Sequence, residues 1–333
     1  MKPSAFVYRR PAGIEEALEL LRQHPDDARV IAGGQSLVPA MNLRMATPGM
    51  LVDLAGVKEL SALELDGDGR LVAGAMVAHN RFLRDERVKS GWPAIGLAVR
   101  HVAHEQIRNR GTIGGSLCHA DPAAEWAAVC LLLDAEMSLA GPQGERVVAA
   151  DDFVRGVYET ALEPGEILSR IRFPAPLGGW RWGFHEIARR RGDFALAGAL
   201  VGLSVDENGV VQAGRLAVFA VEDRARRLDA ALSTLIGRGV ADIDTELIGL
   251  SAAASVDPRS DMHASADQRC HLVHSCVTRA LAGAGVRPRT GSDPSFHANE
   301  ATAGVRPGGS DPFRSGVRPR MGSYPSTPTW SNQ

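Results

Sequence analysis

Cysteine is scarce and scattered, with only Cys118, Cys130, Cys270 and Cys276 in 333 residues. None forms a C-x-x-C pair, and none has the grouped spacing of an iron–sulfur or zinc site. The sequence therefore predicts reduced, mostly buried thiols and no metal site, so any metal-based redox chemistry belongs to another chain. No apolar run approaches the roughly 20 residues of a bilayer span, and no membrane span is expected. Met1 to Gly13 carries Lys2, Arg9 and Arg10 but lacks the apolar stretch of a secretory signal, which points to a cytoplasmic protein. An excess of positive charge is also missing: the formal net charge is −2. Nucleic-acid binding needs a basic surface to displace counterions, so nucleic acid is not an expected partner. The dinucleotide fingerprint G-x-G-x-x-G and the P-loop G-x-x-x-x-G-K-[ST] are both absent, which removes two common phosphate-binding folds.

Two glycine pairs, about eighty residues apart, are the most informative feature present. The first lies in Ala32-Gly33-Gly34-Gln35-Ser36-Leu37. The second lies in Thr112-Ile113-Gly114-Gly115-Ser116, followed by Asp121-Pro122 and Glu125. Each stands among small hydroxyl or amide side chains after an apolar run. Glycine reaches φ > 0 and has no Cβ, so successive N–H groups can turn inward onto an anion. Two such loops are expected to hold the phosphates of a dinucleotide from opposite sides, although a single Gly-Gly pair is usually just a turn.

The rest of the chain reads as follows. Ile14, Ala17, Leu18 and Leu21 fall on one face of a helix. Arg29 to Ala32 and Leu51 to Leu54 read as strands, making residues 1–54 a small α+β unit. A hairpin over 63–77, helices over 94–102 and 123–133, a hairpin turning at Gly141 to Gly144 and a strand over 166–173 make a second unit over 55–176. Pro174 to Gly179 is a plausible linker. Strands at 180–188, 195–205 and 210–221, then helices near 224–236, 242–254 and 264–283, predict a separate α+β domain over 177–285 with a three-stranded antiparallel sheet. Residues 286–333 repeat Gly-Val-Arg-Pro and Gly-Ser-Asp-Pro, lack periodic apolar residues, and are expected to be a disordered low-complexity tail.

Three segments carry a family resemblance: Ala32 to Leu37, Gln106 to Ser116, and Arg189-Arg190-Arg191-Gly192-Asp193-Phe194-Ala195. Together they resemble the FAD-binding medium subunit of the molybdenum hydroxylases, the family of carbon monoxide dehydrogenase and xanthine dehydrogenase. Asp257 to Ser265 resembles that family's C-terminal domain, and the similarity covers about 1–283. The resemblance implies a two-subdomain FAD-binding fold of the PCMH type, followed by the C-terminal domain. It implies FAD as cofactor, with Ala32, Gly33, Gly34, Gln35, Ser36 and Leu37 on one side of the pyrophosphate and Thr112, Ile113, Gly114, Gly115 and Ser116 on the other. By the same resemblance Asp121, Glu125 and Asp134 face the ribose and adenine, Leu162 is an adenine-side contact, and Phe194 lies beside the isoalloxazine ring where relatives often carry Tyr. His185 and Glu186 stand where some relatives have a nearby Lys.

The implied partners are a small subunit with two [2Fe–2S] clusters and a large molybdopterin subunit, as a dimer of heterotrimers, together with an external electron acceptor. No side chain of this chain need act as nucleophile or base on substrate, and its task is to position and tune the flavin. A stand-alone flavin oxidase and a scaffold subunit that has lost FAD are the rival readings. The two intact glycine motifs rank the scaffold last.

Overall fold

The computed structural model describes residues 2–286. The expected tail lies outside the described residues except for Val286, which is fully buried; its N–H donates to the Leu281 carbonyl at 3.0 Å.

The first lobe comprises β1 (Val7–Arg9), α1 (Ile14–Gln23), β2 (Ala28–Ile31), α2 (Leu37–Asn42) and β3 (Met50–Asp53). The strands form a parallel sheet in the order β1-β3-β2. Ala17, Leu18 and Leu21 of α1 are buried against it, as their helical spacing predicts. β1 is an addition to the sequence reading; its three residues are all exposed and show no alternation to read.

The second lobe runs through β4 (Leu63–Leu65), β5 (Leu71–Gly74), α3 (His79–Arg84), α4 (Glu86–Gly91), α5 (Pro93–Val99), α6 (Glu105–Arg110), α7 (Ile113–His119) and α8 (Glu125–Leu132). It continues with β6 (Glu136–Gly141), β7 (Gly144–Ala149), α9 (Ala150–Phe153), β8 (Val154–Gly156), β9 (Glu159–Thr160) and β10 (Ile167–Phe173). An antiparallel sheet in the order β4-β5-β10-β6-β7 backs the helices. Phe82, Ile95, Ile113, Trp126 and Ile171 are fully buried in the core between them. The Trp126 indole N–H donates to His79 Nδ1 at 2.9 Å, so the imidazole stays neutral; burial, with Arg108 nearby, holds its pKa down at about 4.

The third part contains β11 (Trp180–Ala188), β12 (Ala195–Val205), β13 (Val211–Phe219), β14 (Arg226–Arg227), α10 (Thr245–Ala254) and α11 (Ala266–Gly283). Its sheet is antiparallel in the order β11-β12-β13-β14, the three expected long strands plus a two-residue fourth. α11 packs across β11 and β12 and buries Val273, Val277, Ala280 and Leu281.

The helix expected near 224–236 does not form. Arg226 and Arg227 pair with Val218 and Ala217 in the sheet, and Asp229–Leu235 winds as a 3₁₀ helix. Tertiary contacts outweigh local propensity there. The Arg227 guanidinium donates to the Leu131 carbonyl at 2.9 Å and to Asp134, and it also pairs with Asp229. The Asp257 to Ser265 segment fastens α11. Asp261 accepts the N–H groups of His263 and Ala264 and pairs at 2.6 Å with Arg269, which is buried and also donates to the carbonyls of Leu196 and Ala220.

Candidate functional site

The three parallel strands of the first lobe end together, and the chain places a cleft there. In open parallel sheets, ligands sit beyond the carboxyl ends of the strands. Tyr8 comes from β1 and Asp53 ends β3, while the glycine turn leaves β2 at Ala32. These residues, with Val38, Pro39, Ala55 and Arg110, line a cleft of about 430 Å³.

Gly34 has φ +71°, which an L side chain rarely adopts, and so reverses the chain toward α2. The Gln35 side-chain amide donates to the Gly33 carbonyl at 2.9 Å and stiffens the turn. Among the described residues, the N–H groups of Gly33, Gly34, Gln35 and Ser36 make no hydrogen bond to a protein acceptor. The cleft thus carries a row of uncommitted donors, the arrangement that binds an anion.

The acidic side chain of the cleft is already engaged. Asp53 accepts the Tyr8 hydroxyl and, at 2.9 Å, the Ala55 N–H. The bond to Asp53, with burial and the carboxylate charge, raises the pKa of the Tyr8 hydroxyl.

The second glycine pair is not in a loop. Gly114 and Gly115 form the first turn of α7, and Thr112 caps it by accepting the Gly115 N–H at 3.1 Å. The Ile113 N–H donates to Val77 O at 3.0 Å, the Gly114 N–H to Ala75 O at 2.9 Å and the Ser116 N–H to Thr112 O at 3.0 Å. The N–H groups of Ile113, Gly114, Gly115 and Ser116 are therefore held within the chain. What the motif supplies is close approach of the two lobes. A Cβ on Gly33 would lie 2.2 Å from the Arg110 carbonyl oxygen, and one on Gly115 would lie 3.3 Å from Ala32 Cβ. Gly33 thus packs on the Arg110-Gly111 backbone just before this motif, and Gly115 packs near Ala32.

Of the residues named from the sequence, Ala32, Gly33, Gly34 and Gln35 line the cleft. Ser36 is the N-cap of α2 and Leu37 its first residue. Thr112 to Ser116 stand behind them. Asp121 and Glu125 lie at the start of α8, where Asp121 accepts the Ala123 N–H at 2.9 Å. Burial, reinforced by the charge of Glu186, raises the Glu125 carboxyl to about 8. Glu186 itself pairs with His101 at 3.3 Å through one oxygen and leaves the other buried without a partner.

Asp121 and Glu125 do not line the cleft, and neither do three further named residues. Asp134 follows the far end of α8 and pairs with Arg215 at 2.7 Å and with Arg227, joining the second lobe to the C-terminal sheet. Leu162 packs on the second-lobe core. Phe194 precedes β12 and is 67% exposed. Tyr8, Asp53 and Arg110 are cleft residues that sequence reasoning missed. The signal for Asp53 was available, since it ends a strand of the parallel sheet. Of the thiols, Cys130 and Cys276 are buried, Cys270 is partly buried and Cys118 is exposed.

Comparison with known proteins agrees with this geometry. Residues 4–176 match the model of the FAD binding domain in molybdopterin dehydrogenase, and residues 182–284 match the CO dehydrogenase flavoprotein C-terminal domain. The chain is 38% identical to the caffeine dehydrogenase subunit beta of Pseudomonas sp. (strain CBB1), over 86% of this chain and 97% of that one. It is 35% identical to the carbon monoxide dehydrogenase medium chain of Hydrogenophaga pseudoflava, over 86% and 99% of the two chains. A chain in the crystal structure of quinoline 2-oxidoreductase from Pseudomonas putida 86 superposes with a TM-score of 0.80 at 42% identity, covering 85% of this chain and 98% of that one. With both halves matched in order and nearly the full length of these relatives covered, the chain belongs to the family of FAD-binding medium subunits of the molybdenum hydroxylases.

Proposed function

We propose that this chain is the electron-transferring flavoprotein subunit of a cytoplasmic three-subunit molybdenum hydroxylase. It receives electrons from the [2Fe–2S] clusters of a small partner and delivers them to an external acceptor, while a large molybdopterin partner oxidises the substrate. Two such heterotrimers form the assembly. The observation that carries the reading is the row of free N–H groups from Gly33 to Ser36 at the carboxyl ends of three parallel strands, in a segment that matches an FAD-binding domain.

The residues present fit FAD. The Gly33 to Ser36 donors suit a diphosphate. The absence of a Cβ at Gly33 and Gly115 lets the two lobes close around the site. When bound, FAD supplies the redox centre, able to exchange one or two electrons. The chain's own residues hold and shape it. Gly33, Gly34, Gln35 and Ser36 bind the pyrophosphate, and Thr112 to Ser116 brace that wall. Asp121 and Glu125 serve the ribose and adenine end, Leu162 packs on the adenine side, and Phe194 offers an aromatic face to the ring system, while Asp134, with both carboxylate oxygens paired to Arg215 and Arg227, holds the C-terminal sheet to this unit. The FAD-binding unit comprises residues 1–176 and the C-terminal domain 177–285.

The test is purification of the chain alone and with its genomic neighbours. Acid precipitation of either preparation should release one FAD per chain. Substrate should bleach the flavin absorbance only in the complex. Recovery of FMN, or rapid bleaching of the lone chain by a small organic substrate, would refute the reading.

A further inference from the structure

The cleft holds one acidic and one basic side chain, and their situations differ. Asp53 is engaged by the Tyr8 hydroxyl and the Ala55 N–H. Arg110 has no hydrogen-bond or ion-pair partner for its guanidinium among the described residues. Its neighbours in sequence are committed. Arg108 donates to Asn80 Oδ1 at 3.2 Å and to the carbonyls of Val102 and Ala103 at 2.9 Å, and Arg100 donates to Gly96 O at 2.9 Å.

The stem of Arg110 is fixed at the glycine turn. Its carbonyl oxygen occupies the space where a Gly33 Cβ would lie, at 2.2 Å. The next residue is held on both sides: the Gly111 N–H donates to Ile107 O at 2.7 Å, and Gly111 O accepts the His79 N–H at 3.0 Å. Arg110 therefore lines the same cleft as Gly33, Gly34 and Gln35, whose N–H groups are free.

Neutral N–H groups hydrogen-bond a diphosphate but leave its charge uncompensated, which is costly where water is displaced. A guanidinium supplies charge and a two-pronged donor set matched to phosphate oxygens. We propose that Arg110 is a binding residue for the diphosphate of the ligand in this cleft, pairing with its negative charge while the glycine turn supplies the neutral donors. The role rests on the reading of the cleft as the FAD site. Arg110 is the means by which a site otherwise built from backbone prefers a flavin carrying phosphate over one without.

The experiment uses the full chain stripped of flavin and titrates it with FAD and with riboflavin, which carries no phosphate, at low and high salt. Arg110→Gln should weaken FAD binding about 10- to 100-fold. It should leave riboflavin binding unchanged and remove most of the salt dependence seen with the unaltered chain. Arg110→Lys keeps the charge but not the fork, so it should fall between the two and retain the salt dependence. It also decides the question if Arg110→Gln fails to fold. Affinity of Arg110→Gln for FAD within about twofold of the unaltered chain, or an equal loss for riboflavin and FAD, overturns the proposal. Loss of salt dependence in Arg110→Lys overturns it too. Failure of the unaltered chain to bind FAD at all overturns the reading of the cleft itself, and the role of Arg110 with it.

Discussion

Replacing Gly114 by alanine puts a methyl carbon 2.5 Å from the Cβ of Ala75, 2.7 Å from its carbonyl oxygen and 2.8 Å from its Cα. Carbon atoms pack comfortably at about 3.5–4.0 Å, so α7 must retreat by roughly 1 Å. The segment from Ala75 to Val77 cannot simply yield. The Gly114 N–H bonds Ala75 O at 2.9 Å and the Ile113 N–H bonds Val77 O at 3.0 Å, and the retreat stretches both. Overpacking of this kind costs about 1–3 kcal/mol, and a lost hydrogen bond adds about 1 kcal/mol. Alanine regains up to about 1 kcal/mol over glycine in helix propensity. The steric term wins, and the net loss should be about 1–3 kcal/mol.

Urea unfolding followed by far-ultraviolet circular dichroism measures this loss directly. If Gly114 were needed only for close approach to a phosphate, Gly114→Ala would lose flavin and keep full stability. A variant as stable as the unaltered chain would therefore refute the packing argument.

Gly33→Ala drives a methyl group to within 2.2 Å of the Arg110 carbonyl oxygen and 2.7 Å of Gly111 Cα, parting the two motifs, and should weaken FAD binding at least about tenfold in a direct titration. Glu125 has its carboxyl raised from 4.5 to about 8, so the folded chain keeps a proton that the unfolded chain releases. That stabilisation is full below about 4.5 and is lost as pH rises toward about 8, so the urea midpoint of the unaltered chain should fall more across this window than that of Glu125→Gln; parallel curves would remove the argument. Truncation after Gly285 deletes the fully buried Val286 and its bond to Leu281 O, whereas truncation after Val286 keeps both. The first should be less stable than the second by about 2–3 kcal/mol in the same unfolding assay.

The legible parts of the fold are those whose signal is local. The period of Ile14, Ala17, Leu18 and Leu21 marks α1, and the long strands from Trp180, Ala195 and Val211 read correctly from their apolar runs and intervening turns. Within 224–236, a run of Ala and Leu reads as helix, but the carbonyl of Leu131 and the carboxylate of Asp134 lie far away in sequence and draw Arg227 into the sheet edge. The second glycine motif reads as a loop because glycine breaks local patterns. It starts a helix because its N–H groups find acceptors at Ala75 and Val77, nearly forty residues earlier. Arg110 lies inside the Gln106 to Ser116 motif, but its place in the cleft depends on the contact of its backbone with Gly33, which no local pattern reveals.

The two glycine pairs therefore do different physical work, and neither makes a site alone. Gly33 and Gly34 turn the chain so that donors face outward and unfilled. Gly114 and Gly115 bring α7 hard against Ala75 and Ala32, which sets the position of the preceding Arg110-Gly111 step against Gly33. A larger residue in the second pair displaces the wall on which the first pair rests, even though its own N–H groups point into the protein. The spacing of about eighty residues is the length of chain needed to leave the first lobe, build the helical layer of the second and return to the same turn. A lone Gly-Gly pair is only a turn, whereas here the Arg110-Gly111 backbone just before the second pair packs on Gly33, beside a turn whose N–H donors are uncommitted.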